Sequence, residues 1–220
     1  MNKAFGNSDP KLEEYTYGVF APEDEFLADV RERASKAGLP DIHVGALDGL
    51  HLEVLARLGA ARKAVEIGTL AGYSGTCLLR GMGSSGLLHT FEIDPNHAEV
   101  ARETFRRAGF ADNVHIHVGS ALEKLAGIAG DGPFDLVFID ADKVSYGLYT
   151  EWAAENLRVG GAVLLDNAFL FGRVFEEPTG DYAPAIRGMR KAHEVLARSG
   201  RFRATMLPTG EGLALGVKLK

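Results

Sequence analysis

The chain has 220 residues, 46% apolar and 25% charged, a balance that suits one α/β domain with a sizeable core and excludes a disordered chain. Its formal net charge of −6 comes without any block of basic residues, which speaks against a nucleic-acid partner. No apolar run approaches the roughly 18 residues of a membrane span, the opening MNKAFGNSDPKLEEY lacks a signal peptide's apolar stretch, and Cys77 has no partner for a disulfide, so a cytoplasmic protein with no membrane partner is expected.

Residues 1–21 read as a polar N-terminal arm. Two amphipathic helices are expected across 22–59. The first, over 22–37, opens at Pro22, and Phe26, Val30 and Ala34 recur at helical spacing. The second, over 46–59, carries Leu47, Leu50, Val54, Leu55 and Leu58. From residue 63 to the C-terminus short apolar runs alternate with helices. The runs KAVEIG (63–68), LLHTFEI (87–93), VHIHVG (114–119), FDLVFID (134–140) and GAVLLDN (161–167) predict buried strands. Helices are expected from Tyr73, over 95–109, from Ala121, across 144–157 and over 183–198, with a loop at 168–182. FRATMLP (202–208) and GLALGVKL (212–219) close the chain as a hairpin, expected to add an antiparallel edge. Such alternation means a parallel sheet covered on both faces within a single domain. Ligands of such sheets bind beyond the carboxyl ends of the strands.

Those strand ends carry the chemistry. After the first strand, Gly68, Gly72 and Gly75 let a ligand approach the backbone. A dinucleotide fingerprint would need glycine at position 70, which is Leu70. A ligand with a carboxylate and a sulfonium, but no phosphate, fits better. Glu92, past the second strand, can accept hydrogen bonds from both hydroxyls of a ribose, while Asp94 is read mainly as a helix cap. Gly119, Ser120 and Ala121 could line an adenine slot, with a capping role for Ser120 as the alternative. Asp140 ends the fourth strand and Asp166-Asn167 the fifth; if these strands are neighbours, their ends lie about 5 Å apart. Two carboxylates and an amide oxygen there are hard ligands for Mg²⁺, with Mn²⁺ or Ca²⁺ as alternatives. Lys143 stands nearby as a base.

VEIGTLAGYSG, FEIDP, VGSALEKL, FDLVFIDADKVSYGLY, VGGAVLLDN and LPTGEGLAL, in this order, closely resemble the cation-dependent O-methyltransferases, which include catechol and caffeoyl-CoA O-methyltransferases. The resemblance runs from about residue 42 to the C-terminus. It implies an α/β, Rossmann-like S-adenosylmethionine (SAM) methyltransferase fold, with a seven-stranded, mostly parallel sheet, an antiparallel last strand and helices on both faces. It also implies a homodimer. By that resemblance Asp140, Asp166 and Asn167 are metal ligands, and Lys143 is the catalytic base working beside Asp140. Glu92 binds the ribose of SAM. Glu66, Gly68, Tyr73 and Ser74 bind its methionine part, which His43 and Val44 cover. Gly119, Ser120 and Ala121 lie on the adenine side, and Asp142 and Asp140 lie beside the cofactor. The chain departs from the family at Phe169-Leu170-Phe171, where many members carry D-N-x-L-W, at Glu211 in the last turn, and at Arg187-Gly188-Met189-Arg190 in the last long helix. These departures fall around the acceptor, so the resemblance names no single substrate.

The expected reaction is methyl transfer from SAM to a hydroxyl of a small catechol-like or caffeoyl-type aromatic acceptor. Competing readings are a nicotinamide-dependent oxidoreductase, a non-catalytic SAM-binding protein of the same fold, and a metal-independent methyltransferase. His115 and His117 share one strand face and are expected to pack against a helix. Met189 and Met206 read as core filler. Cys77 is expected to be buried and inert. The Glu176-Glu177 pair reads as solvated, and Phe169 and Phe171 as either acceptor walls or core.

Overall fold

The computed structural model describes residues 9–220. Three helices precede the sheet: α1 (Pro10–Phe20), α2 (Glu25–Lys36) and α3 (Ala46–Leu58). The first corrects the expectation of an arm. Asp9 caps α1 by accepting from the Lys11 N–H, and Pro10 fills its first turn. None of its residues is buried, so it carries no buried stripe for periodicity to reveal. Residues 1–8 of the expected arm lie outside the described residues.

The second helix starts later than Pro22. Asp24 caps it, its side chain accepting from the Leu27 N–H at 2.9 Å, and Pro22 lies in the connection. Leu27, Val30 and Ala34 are its buried face. On α3 the buried face is Ala46, Gly49, Leu52 and Ala56, not the leucine stripe that the spacing predicts. Val54 and Leu58 are exposed. The cause is the close approach of α3 to α4 (Tyr73–Met82): a Cβ on Gly49 would lie 2.9 Å from the Tyr73 ring. Small residues fit that interface, while Val54 and Leu58 turn outward.

Seven strands follow: β1 (Lys63–Ile67), β2 (Leu87–Glu92), β3 (Val114–Val118), β4 (Phe134–Ile139), β5 (Leu157–Leu165), β6 (Phe202–Leu207) and β7 (Leu213–Lys218). Their order is β3-β2-β1-β4-β5-β7-β6. The first five pair in parallel, and β7 is antiparallel to both β5 and β6. The seven-stranded sheet with an antiparallel last strand is therefore present. The hairpin differs in one respect. Its antiparallel member, β7, inserts beside β5, and the edge is β6, which runs with the parallel strands. Composition explains the choice. Leu213 and Ala214 of β7 are buried, whereas β6 exposes Arg203, a side chain suited to an edge.

The remaining α-helices among the described residues are α5 (Pro95–Arg107), α6 (Ala121–Lys124), α7 (Tyr146–Asn156) and α8 (Ala183–Arg198). The fifth strand begins four residues before its apolar run, because Leu157 already pairs with Phe134 and a register shift follows before Ala162 meets Leu136. Alternate strand residues feed two cores. Val65, Ile67, Val137, Ile139 and Val163 pack with α7 and α8 on one face. Ala64, Leu88, Leu136, Phe138 and Leu164 pack with α2 to α5 on the other. The sheet order reverses between β1 and β4, which opens a crevice at their carboxyl ends. No helix among the described residues is long and apolar enough to cross a membrane.

Candidate active site

A cavity of about 850 Å³ occupies that crevice. Gly68, immediately after β1, has φ +103, and a Cβ there would fall 1.9 Å from the Asp140 carbonyl oxygen. The turn can sit against the end of β4 only because residue 68 is glycine. The Gly68 N–H donates to the Phe91 carbonyl at 3.0 Å, which fixes the turn to β2 as well.

The neighbouring acid, Glu66, does not line the cavity. It is fully buried beneath it. Its carboxyl accepts from the hydroxyls of Ser74 and Thr90, each at 2.6 Å, and Thr90 is in turn 2.5 Å from the Thr69 hydroxyl. Burial pushes the Glu66 carboxyl up to about 8, against those hydrogen bonds, which favour the ionised form. Glu66 thus orients Ser74, and Ser74 and Tyr73 face the cavity at the start of α4.

Glu92 does line the cavity, and the backbone holds its carboxylate. One oxygen accepts from Leu70 N–H at 2.8 Å and Thr69 N–H at 3.3 Å; the other accepts from Asp94 N–H at 3.0 Å. His97 Nδ1 stands 3.4 Å from it. Asp94 takes the capping role, accepting from Asn96 N–H at 2.7 Å. Gly119, Ser120 and Ala121 form the next stretch of wall. The alternative role of Ser120 is absent, since its side chain makes no capping hydrogen bond at the start of α6. His43 and Val44 close the cavity from the N-terminal side together with Asp41 and Ile42, which the motifs did not single out.

Beyond β4 and β5 the structure brings Asp140, Asp166, Asn167 and Lys143 together. The two strands are paired neighbours, and the Asp166 N–H donates to the Ile139 carbonyl at 3.0 Å. Asp140, Lys143 and Asn167 line the cavity, whereas Asp166 is buried behind it. Asn167 has φ +50, a left-handed turn that asparagine tolerates. Burial first, and then the charge of Asp140, pushes the Asp166 carboxyl up to about 7. Among the described residues no group of three or more His, Cys, Asp or Glu side chains is arranged as metal ligands; the donor set here is two carboxylates and one amide. That set fits a hard divalent cation. A cation bound there would favour the ionised form of the buried Asp166.

Lys143 Nζ donates to Asp140 at 2.9 Å and to the Tyr146 hydroxyl at 2.6 Å. Tyr146 is a member of this cluster that the strand ends did not point to. Burial first, then the charges of Asp140 and Asp166, hold its hydroxyl far above its ordinary range, so it is a neutral phenol. It bridges Lys143 to the ends of both strands, reaching the Ile139 and Asp166 carbonyls at 3.2 Å each. Its signal was the spacing Lys143-x-x-Tyr146, which leads into α7. Asp142 also faces the cavity, oriented by the Tyr149 hydroxyl at 2.8 Å and the Ser145 N–H at 2.9 Å.

Of the residues that depart from the family pattern, Phe171 and Glu211 line the cavity mouth. Leu170 is buried, and Phe169 packs against Gly212. Arg187 and Arg190 do not line the cavity. They donate to the carbonyls of Pro178, and of Val174 and Glu176, and so tie down the loop before α8. Glu176 and Glu177 are exposed. Cys77 is buried, and burial pushes its thiol up to about 12. His115 and His117 meet the rings of the neighbouring strand β2. His117 stacks on His89 and Phe91 at ring distances of 5.3 and 4.6 Å, and His115 lies 5.1 Å from His89. These rings sit at paired positions of β2 and β3, so the sheet register itself brings them together.

The sequence profile of the O-methyltransferase family matches residues 18–219. The chain is 41% identical to a catechol O-methyltransferase of Mycobacterium tuberculosis over 82% of its length and 81% of that protein's. It is 36% identical to a catechol O-methyltransferase of Niastella koreensis over 89% of each chain. It superposes on the O-methyltransferase from Bacillus cereus in complex with S-adenosylhomocysteine with a TM-score of 0.87 and 35% identity, covering 94% of this chain and 97% of that one. The chain therefore belongs to the O-methyltransferase family, and it is an enzyme of that class.

Proposed function

We propose that this enzyme transfers the methyl group of SAM to a hydroxyl of a small aromatic acceptor bearing two adjacent oxygens, in a reaction that depends on a divalent cation. One observation carries the reading. Asp140, Asp166, Asn167 and Lys143 converge at the ends of β4 and β5, beside a cavity that Glu92 lines farther along. The Bacillus cereus neighbour with bound S-adenosylhomocysteine supports SAM as the donor, and the two catechol O-methyltransferases support a catechol-like acceptor.

In this reading the methionine part of SAM lies against Val44, Gly68, Tyr73 and Ser74. Its ribose hydroxyls donate to Glu92, and its adenine lies by Gly119, Ser120 and Ala121. Asp140, Asp166 and Asn167 would hold Mg²⁺, with Mn²⁺ or Ca²⁺ as alternatives; when bound, the ion acts as a Lewis acid toward the acceptor oxygens. Lys143, held by Tyr146, would take the hydroxyl proton as the neutral amine and so become the ammonium that pairs with Asp140. The acceptor oxygen forms a bond to the methyl carbon as the carbon–sulfur bond breaks, and S-adenosylhomocysteine leaves. Because the sulfonium is already a good leaving group, most of the rate comes from positioning and electrostatics. Phe171 supplies an aromatic wall for the acceptor ring.

One domain carries the reaction in a cytoplasmic protein, and a second copy of the chain completes a homodimer. The exposed Leu12, Tyr15, Val19 and Phe20 of α1 offer an apolar surface for that contact. The test of function is methyl transfer from labelled SAM to a panel of catechols, with Mg²⁺ and then with excess chelator. Activity that vanishes with chelator and returns with metal is expected. Chelator-resistant transfer would remove the cation from the mechanism.

A further inference from the structure

Residues 41–44 form a strap across the donor end of the cavity. Among the described residues, two hydrogen bonds hold the backbone of this segment. The Ile42 N–H donates to the Pro40 carbonyl, within the same connection. The Val44 carbonyl accepts from Arg31 Nη2 of α2 at 2.8 Å, and only this bond reaches another element. Arg31 is itself held in place. Its Nε donates to Glu23 at 2.7 Å, the Tyr73 hydroxyl donates to the same Glu23 oxygen at 2.7 Å, and the guanidinium lies 4.2 Å over the Tyr73 ring. Next along the chain, Asp24 pairs with Arg80 of α4 at 2.9 Å, so the start of α2 is pinned to α4. Burial disfavours the Glu23 charge, yet the bonds from Arg31 and Tyr73 hold its carboxyl below the usual range. The network is thus ionised and partly buried, and its hydrogen bonds are charge-assisted.

We propose that Arg31, fixed by Glu23 and Tyr73, is a positioning residue that latches the 41–44 strap over the methionine end of the donor site. Tyr73 is the joint of this device. Its ring stands beneath Arg31, its hydroxyl grips Glu23, and it also lines the cavity, 6.0 Å from the His43 ring. A ligand seated against Tyr73 therefore meets a strap already held in place, and less ordering entropy is lost on binding. The arginine fork is needed because one side chain must serve both Glu23 and the Val44 carbonyl, which a lysine ammonium on a flexible stem does less well.

The inference rests on the proposed use of this cavity for SAM, and its test separates the two. Wild-type binding of S-adenosylhomocysteine, measured by calorimetry, tests the donor site; absence of binding there sinks that reading before any variant is made. Given binding, Arg31→Gln is expected to weaken S-adenosylhomocysteine about tenfold, the effect of losing one charged hydrogen bond. The Michaelis constant for SAM should rise in parallel, kcat at saturating SAM should fall much less, and Arg31→Lys should recover part of the affinity. Amide exchange in residues 41–45 should speed up in Arg31→Gln before ligand is added. Glu23→Gln, which leaves Arg31 present but unanchored, should shift affinity in the same direction. Unchanged affinity and unchanged exchange in a folded Arg31→Gln protein would overturn the latch. So would a loss of thermal stability alone, with ligand affinity intact.

Discussion

The carbonyl oxygen of Asp140 stands where a side chain on Gly68 would have to be, 1.9 Å from the position of its Cβ. The end of β4, which presents Asp140, and the turn after β1, which borders the donor site, are thus packed backbone to side-chain position. Gly68→Ala cannot be relieved by a rotamer change, because the obstacle is main chain and φ is +103. It should cost about 3 kcal/mol or more of stability, in the range of severe steric and backbone strain. Denaturant titration with wild type as the reference checks this; a loss below about 1 kcal/mol would mean that the turn can move aside.

Glu66 makes stability depend on pH in an identifiable direction. Its carboxyl is pushed up to about 8 in the folded state against an ordinary 4.5. Between those values the folded chain binds more protons than the unfolded one, so its contribution falls as pH rises through the window. Glu66→Gln removes that ionisation while keeping a group that can share hydrogen bonds with Ser74 and Thr90. The difference in melting temperature between variant and wild type should therefore shift in favour of the variant from pH 5 to pH 8. A difference that stays constant across the range would show that Glu66 is not held protonated.

His89 acts in the opposite sense. Burial, and then the neighbouring His117 and His115, push its imidazole down to about 4. The unfolded chain, with an ordinary value near 6.5, binds the proton more readily. Its stabilising contribution is complete above about 6.5 and is lost as pH falls toward 4. Asp131, with its carboxylate 3.9 Å from Nε2, and Lys63 oppose one another in this shift. His89→Gln should flatten the fall in melting temperature between pH 7 and pH 5, and parallel curves would assign the acid sensitivity to other groups.

Tyr146→Phe tests the bridge under Lys143. The substitution removes the hydroxyl that accepts from Lys143 and reaches the Ile139 and Asp166 carbonyls. Leaving buried partners unsatisfied should cost about 1–3 kcal/mol. On the proposed reaction, kcat should fall with little change in the affinity for S-adenosylhomocysteine, since Tyr146 does not line the donor site. A variant with wild-type kcat would show that Lys143 needs no such support.

The residue string by itself determined the alternation of strands and helices, because continuous apolar runs and period-3.6 stripes are written locally. It also marked the strand-end residues, because an open parallel sheet places its chemistry there whatever the details. Tertiary structure alone decided which helix face is buried where packing is tight, as on α3, where Gly49 rather than the leucines meets α4. It put β7 inside and β6 at the edge, a choice made between partners distant in sequence. It separated Glu92, which faces the cavity, from Glu66, which lies buried beneath it. It also brought Tyr146 under Lys143 and Arg31 onto the Val44 carbonyl. Each of these depends on distances between elements, and short-range periodicity carries no information about such distances.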